Sequence, residues 1–259
     1  MAAVMLAMAP TGAAAQTVRG DTDWDGDFDV ADLSYLIDYL LQEQWSDIPE
    51  DVERMTFTVK GVDFTMVHVD AGILTRDDGG MYYVPEFWIG ETEVTRGLWA
   101  AVMGGTSNDK TYPASEKTGD DCQALADSLC ALTGMPFRLP TCNEWEFAAR
   151  GGNRSMGYTY CGGNRIELVA WYSGNSSAIK PVAKLKCNEL GLYDMSGNVC
   201  EWCHDTYYPE GSSVAMRYLC GGHTNDNADG NKPSARRTRM SNTWFNFTGT
   251  RLAMSPSAK

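Results

Sequence analysis

The sequence predicts an α+β domain rich in loops, preceded by a small module of one acidic loop and one helix. Two observations predict the main domain: some short stretches alternate apolar and polar residues, and others repeat apolar residues at helical spacing. The chain has 259 residues, 43% of them apolar, with 26 glycines and 10 prolines. That composition is enough for one good-sized core and is typical of a globular chain with many loops.

The first fifteen residues resemble an export signal. Residues 1–15 are apolar and end in small residues, with Ala13-x-Ala15 as a cleavage pattern. The stretch is too short to span a bilayer, and no lysine or arginine precedes Arg19. We expect an exported protein, periplasmic, on the cell surface or extracellular; a flexible apolar tail is the alternative.

The negative charge is concentrated in one short region. The net charge is −13, and residues 16–54 carry 12 acidic and 2 basic side chains, a balance of −10. The rest of the chain, with 22 acidic and 19 basic residues, is only −3. The charge balance therefore disfavours a nucleic-acid or anionic-membrane role for the whole chain, and we expect no nucleic-acid partner and no membrane span.

Residues 16–46 are predicted to form a calcium-binding loop and helix. Gly26 stands at loop position 6, where the chain must turn sharply around an ion, and position 7 offers a backbone carbonyl. Apolar residues then recur at i, i+3, i+4, i+7 and i+8 from Leu33, which predicts a helix. The predicted Ca²⁺ ligands are Asp21, Asp23, Asp25, Asp27 and Asp32.

This loop and helix resemble one half of a dockerin, which has two such repeats and an aspartate at the twelfth loop position. Only one repeat is found here, which puts a cohesin partner in doubt and favours a calcium-stapled spacer. Residues 47–54, with Pro49, are expected to be a linker, and the main domain is expected over 55–259.

The first elements of the main domain follow from local patterns. Phe57/Val59 and Phe64/Met66 alternate with polar residues about Gly61, which predicts a hairpin. Thr95 is expected to cap a helix that begins near residue 97.

Two further helices are predicted. Cys122, Leu125, Leu129 and Leu132 share one face of the second helix, which Gly134 ends. Thr141-Cys-Asn-Glu144 is a capping box that opens the third helix, with Trp145 facing the core and Gly151-Gly152 ending it. Arg138 and Arg150 are expected to pair with buried carboxylates.

The eight cysteines stand at 122, 130, 142, 161, 187, 200, 203 and 220. An even number fits an exported protein with some disulfides. Cys200-x-x-Cys203 is the one close pair and lacks the second pair that a zinc site needs. Buried or structurally paired cysteines are the favoured interpretation, and a redox pair is the alternative.

Four stretches together resemble the formylglycine-generating enzymes, the sulfatase-modifying-factor family. They are FRLPTCNEWEFAARGG from Phe137, GLYDMSGNVCEW from Gly191, Gly221-Gly222 and the ending Gly249-Thr-Arg-Leu-Ala253. The resemblance implies a C-type-lectin-like fold for the main domain.

The resemblance also implies a second calcium site. Family members bind Ca²⁺ through a pattern that matches Asp194, Gly197, Val199 and Glu201 here, with two carboxylates and two backbone carbonyls as ligands. The alternative is that the two carboxylates only fix the turn by accepting hydrogen bonds from backbone N–H groups. The family's other calcium site has no convincing ligands, because Ala170-Trp171 stands where an asparagine is expected.

The catalytic cysteines of these enzymes have no counterpart in the sequence. They would fall near Ala228 and Pro233, which can neither form a thiolate nor hold copper, and no cysteine follows Cys220. We therefore expect no catalytic residues and no copper. His223 lies near the same segment, where a lone loop histidine is expected to be solvated.

Residues 223–250 resemble the variable proteins of diversity-generating retroelements, in which three asparagine triplets mark positions scattered by adenine-directed mutagenesis. The register agrees without gaps, and Ala228, Arg236, Gly249 and Arg251 fall on framework positions. Every residue on the triplets can be encoded by an NNC codon, the class reached when both adenines of the asparagine codon AAC are randomised. Three framework positions differ from the pattern: His223-Thr224, Lys232-Pro233 and Thr250. The first triplet is Asn225, Asp226 and Asn227, the second is Arg237, Thr238 and Arg239, and the third is Phe245, Asn246 and Phe247. These nine residues are the implied ligand-binding residues.

The triplets are also poor material for a core. Phe245 and Phe247 flank Asn246, so an extended chain would place both rings on one side. Arginines and aromatic rings gathered on one surface are typical of a binding hot spot. The alternative is a solvated loop with both phenylalanines tucked into the core.

These observations favour a non-catalytic protein that displays a ligand-binding face on a calcium-stabilised scaffold. Its ligand would be an unknown protein or surface, with a mild preference for acidic partners because residues 223–259 carry six basic and two acidic side chains. One alternative is an oxidase that converts a sulfatase Cys or Ser to formylglycine. A second is a structural relative tethered through the dockerin-like module.

Overall fold

The structure is a computed structural model that describes residues 48–211 and 213–256. Its first element is the predicted hairpin, in which β1 (Arg54–Val59) pairs antiparallel with β2 (Val62–Val69). Lys60 and Gly61 form the turn with φ angles of 48° and 78°. A glycine suits the second of these positions because it adopts positive φ without steric cost.

The remaining elements are strands and helices that are mostly short. The strands are β3 (Gly72–Thr75), β4 (Met81–Val84), β5 (Phe87–Gly90), β6 (Phe137–Arg138), β7 (Cys200–Tyr207), β8 (Met216–Cys220), β9 (Arg236–Met240), β10 (Thr248–Gly249) and β11 (Ala253–Met254). The helices are α1 (Arg96–Met103), α2 (Gly119–Thr133), α3 (Cys142–Ala149) and α4 (Ile166–Val169), with 3₁₀ turns at Gly152–Arg154 and Asp229–Asn231.

The strands form two main sheets and one separate hairpin. The five-stranded sheet has the order β1-β2-β5-β11-β6, and the four-stranded sheet has the order β10-β7-β8-β9, while β3 pairs with β4. β11 is antiparallel to both of its neighbours, and β10 is parallel to β7. The architecture is α+β, as predicted.

The predicted helix boundaries are confirmed at the caps. The Thr95 hydroxyl accepts a hydrogen bond from the Leu98 N–H at 3.2 Å, and Gly134 ends α2 in the left-handed conformation. Thr141 and Glu144 form the predicted capping box at the start of α3. One detail differs: Leu132 is 51% exposed, because it lies in the last turn of α2, beside the cap.

The core is built around α3 and β7. Trp145 and Trp202 are fully buried. Arg138 and Arg150 pair with carboxylates of their own helix region, Glu144 at 2.6 Å and Glu146 at 2.8 Å, which confirms their structural role. None of the helices within the described residues is long and apolar enough to cross a membrane.

Candidate ligand-binding face and its framework

The three predicted triplets lie at the surface of the four-stranded sheet and of the loops that flank it. The middle triplet is part of β9, and the other two belong to loops. Asn225, Asn227, Arg239 and Asn246 are exposed, and the other five side chains are partly exposed. None of the nine is therefore core.

The triplets meet at His223. The Phe247 ring stacks on the imidazole with centroids 4.7 Å apart, and the Phe245 ring meets it edge-on at 5.3 Å. The two phenylalanine rings are 6.3 Å from each other, so they share one side of the chain, as expected for residues flanking Asn246.

The first and second triplets are joined by an ion pair. Arg237 donates from Nη2 to Asp226 Oδ2 at 2.6 Å, and its Nη1 lies 2.9 Å from His223 Nε2. The same Asp226 oxygen accepts the His223 backbone N–H at 2.9 Å. The guanidinium of Arg239 lies over the Phe245 ring, 4.4 Å from its centroid. The three triplets thus form one connected group.

His223 itself differs from the expectation of a solvated loop histidine. The residue is only 7% exposed, because rings from the third triplet cover it. Burial lowers the pKa of His223 to about 4, and the charges of Arg237 and Arg239 lower it further, against the raising effect of Asp226. The ring is therefore neutral at pH 7 and serves as a packing centre.

Two anchors hold this face in place. Gly221 and Gly222 follow β8 with φ angles of 90° and 68°, and a Cβ on Gly222 would lie 2.2 Å from the Gly230 carbonyl oxygen. On the other side, Cys200 donates its N–H to the Phe247 carbonyl at 2.9 Å. The segment between them is fixed at both ends by main-chain contacts.

The resemblance implies that the family's catalytic cysteines would fall near Ala228 and Pro233; the first of these is partly exposed and the second is buried. The thiol that contacts the triplets is that of Cys200, which donates to the Phe247 carbonyl at 3.2 Å. Burial raises the pKa of this thiol, so it is protonated at neutral pH. A protonated thiol is a poor nucleophile.

Glu201, one of the ligands of the second predicted calcium site, accepts hydrogen bonds from two side chains of the core. Both Glu201 oxygens accept hydrogen bonds from Arg251 at 2.8–3.0 Å, and Oε2 also accepts the Trp145 indole N–H at 2.6 Å. Both side chains of the Arg251–Glu201 ion pair are 0% exposed. Glu201 therefore fits the role of a buried counter-charge better than that of a calcium ligand.

The contacts of Asp194 agree with the alternative, in which this carboxylate only fixes a turn. Its Oδ2 accepts the Ala183 N–H at 2.7 Å. Burial raises the pKa of Asp194 to about 6, and it raises the pKa of Glu93, whose carboxylate accepts hydrogen bonds from Asn198 and Val199. The calcium set of Asp194, Gly197, Val199 and Glu201 remains a prediction.

The cysteines lie within the described residues, and all eight are free thiols. The expectation of disulfides is therefore not met in the structure. Cys200 packs with Trp202 in one core cluster, whereas Cys203 packs with Trp145 in another. The Cys200-x-x-Cys203 pair thus faces two different parts of the core, which does not suit a redox pair.

The calcium ligands predicted at 21–32 lie outside the described residues.

Comparison with known proteins agrees with this geometry. Residues 50–256 match the family described as the Sulfatase-modifying factor enzyme 1-like domain. The chain belongs to this family. The predicted resemblance to the formylglycine-generating enzymes and its C-type-lectin-like fold are thereby confirmed.

The solved and curated proteins to which this chain is similar differ in what they are named for. Treponema denticola variable protein 1 superposes with a TM-score of 0.71 at 27% identity, covering 78% of this chain and 99% of that chain. The chaperone protein LppX of Paenibacillus barcinonensis is 42% identical, covering 53% of this chain and 69% of its own length. The inactive C-alpha-formylglycine-generating enzyme 2 of Mus musculus is 41% identical, over 46% of this chain and 41% of its own.

Proposed function

We propose that the nine triplet residues, arranged around His223, form a face that binds a protein or surface ligand without catalysis. The observation that carries the proposal is their convergence. Residues from three separate segments meet through one ion pair and one aromatic cluster, yet none of their side chains is buried. The likeness to a variable protein of known structure supports the same function.

The chemistry of the face favours a polar ligand with some negative charge. Two arginines face one aspartate, and Arg239 is exposed while it covers the Phe245 ring. Asparagines at 225, 227 and 246 add exposed amides, which both donate and accept hydrogen bonds. Rigid rings beside arginine and amide groups are typical of protein-binding surfaces.

Randomisation of the face tests the proposal. A library with the nine triplet positions varied by NNC codons and the framework kept should yield mostly folded proteins, because exposed substitutions usually cost no more than about 0.5 kcal/mol each. Selection against a purified protein, such as hen lysozyme, should then yield binders. A control library at nine buried positions, including Trp145 and Trp202, should yield mostly unfolded chains. Equal loss of folding in the two libraries would contradict the proposal.

The absence of catalysis is tested separately. Incubation with a sulfatase-motif peptide and copper should give no formylglycine, because Ala228 and Pro233 replace the thiols that the chemistry needs. A relative named as an inactive formylglycine-generating enzyme supports this expectation. An aldehyde product that disappears on mutation of a remaining cysteine would identify an active centre elsewhere.

We also propose that the protein is exported and that Ca²⁺ stabilises the segment around Asp21 to Asp32. Clustered carboxylates repel one another unless a cation is bound, and loops of this kind bind Ca²⁺ with dissociation constants of roughly 10⁻⁷ to 10⁻³ M. Chelation should lower the helical circular dichroism of the full chain, and a variant with Asp21 and Asp25 changed to Asn should not respond. An unchanged wild-type spectrum together with no heat in a calcium titration would rule out the site.

A further inference from the structure

Three buried cysteines meet in the core at the end of β8, outside the ligand-binding face. Cys142 is the first residue of α3, Cys203 lies in β7, and Cys220 ends β8. Their exposed fractions are 3%, 0% and 1%. The three sulfur atoms lie within 4.8 Å of one another, and the Cys203 and Cys220 sulfurs are 3.6 Å apart.

Three thiols outside the cluster show a simpler arrangement. Those of Cys130, Cys161 and Cys200 each donate to a backbone carbonyl, at 3.0, 3.1 and 3.2 Å, whereas Cys203 has only a long contact of 3.8 Å to the Glu201 carbonyl. A buried cysteine is thus accommodated as a small, weakly polar side chain with one main-chain acceptor. Packing does not require a second thiol nearby, still less three thiols contributed by one helix and two strands.

We propose that Cys142, Cys203 and Cys220 bind one thiophilic metal ion of the class of Zn²⁺ and Cu⁺. Sulfur ligands select these soft cations over Ca²⁺ or Mg²⁺. Three sulfurs bound to one ion at about 2.3 Å lie about 4 Å from one another, which agrees with the spacing in the cluster. Among the described residues this is the one group of three or more such ligands.

Binding at this site needs no oxidant or reductant. Each thiol that becomes a ligand loses one proton to solvent, so a divalent ion and three thiols give a trithiolate complex and three protons. The ion would join the start of α3 to two neighbouring strands, β7 and β8. Because β8 leads directly into Gly221-Gly222, the ion would stiffen the framework next to the proposed ligand-binding face.

The sequence gives no zinc-site signal, because the three residues are far apart in the chain. Cys203 and Cys220 come together through the pairing of β7 with β8, in which Glu201 is opposite Cys220. Cys142 joins them because its N–H donates to the Asp205 carboxylate at 2.6 Å, which fixes the start of α3 beside β7. Tertiary contacts alone create the site.

Metal titration of the full-length protein tests the proposal. The reduced, metal-free protein is held in excess Ca²⁺, so that the aspartates at 21–32 do not contribute, and Cd²⁺ is added as a spectroscopic probe. We expect an ultraviolet thiolate-to-metal charge-transfer band that saturates at one ion per chain. Competition with coloured chelators in separate Zn²⁺ and Cu⁺ arms decides which ion is preferred.

Variants assign the ligands. Cys203→Ala and Cys220→Ala should each weaken binding at least tenfold, whereas Cys122→Ala, a buried cysteine outside the cluster, should bind like the wild type. If the cluster variants do not fold, the wild type alone decides, because an ion bound only to the folded state raises its melting temperature.

Three results would overturn the proposal. The first is a wild-type titration without a charge-transfer band and without a rise in melting temperature. The second is a Cys122→Ala variant that loses binding as much as the cluster variants. The third is a purified protein whose mass shows a Cys203–Cys220 disulfide and which, after reduction, still takes up no metal.

Discussion

Two arginine–carboxylate pairs in this molecule have the same chemistry and opposite surroundings. Arg251 and Glu201 are both 0% exposed and are surrounded by the core, whereas the side chains of Arg237 and Asp226 are 33% and 17% exposed on the proposed ligand-binding face. A buried pair must satisfy every donor and acceptor, while an exposed pair can exchange its partner for water. We therefore expect the stability of the fold to depend strongly on Arg251 and only weakly on Arg237.

The largest expected effect is on the buried pair. Arg251→Met should lower the free energy of unfolding by about 3–5 kcal/mol, because it leaves the Glu201 carboxylate charged and buried without its partner. Arg237→Met, the matched change on the face, should cost about 1 kcal/mol or less. Denaturant unfolding of both variants measures the difference. Equal losses would show that the face is part of the core.

A pH effect of intermediate size is expected from His223. In the unfolded chain its imidazole takes up a proton near pH 6.5, but in the folded protein only near pH 4. The unfolded state therefore binds more protons in this window, so acidification from pH 6.5 to 4 should reduce stability by up to about 3 kcal/mol through this group.

The His223→Gln variant isolates this contribution. Its free energy of unfolding should fall less steeply with acidification than that of the wild type over the same window. His204, whose side chain is exposed, is changed to Gln in parallel, so that any general effect of replacing a histidine can be subtracted. Parallel wild-type and His223→Gln profiles would show that the histidine is not held neutral by the rings around it.

The smallest effect is expected at the exposed members of the triplets. Replacing Asn225, Arg239 and Asn246 together by Ala should shift the melting temperature by a few degrees at most, because each costs no more than about 0.5 kcal/mol. Thermal unfolding followed by circular dichroism measures the shift. A loss comparable to that of Arg251→Met would mean that these side chains support the framework.

The sequence predicted local features well because short-range chemistry determines them. The turn at Gly61, the cap at Thr95 and the capping box at Thr141 depend on residues within one turn of chain. The register of the three triplets rests on a resemblance and stays a prediction.

The centre of the proposed ligand-binding face could not be predicted in the same way. His223 is a single residue with no periodic pattern, and its burial depends on rings contributed by Phe245 and Phe247. The ion pair of Glu201 with Arg251 was also missed, because the two residues are 50 positions apart in the chain. Both cases involve contacts between distant segments, which local pattern does not encode.

The position of β11 has a consequence for how the five-stranded sheet is assembled. Ala253 and Met254 come far later in the chain than β5, yet they lie between β5 and β6 in this sheet. The facing edges of β5 and β6 therefore stay unpaired until this distant segment has joined both of them. Pairing between distant segments costs chain entropy before any contact repays it, so we expect this sheet to be completed late in folding.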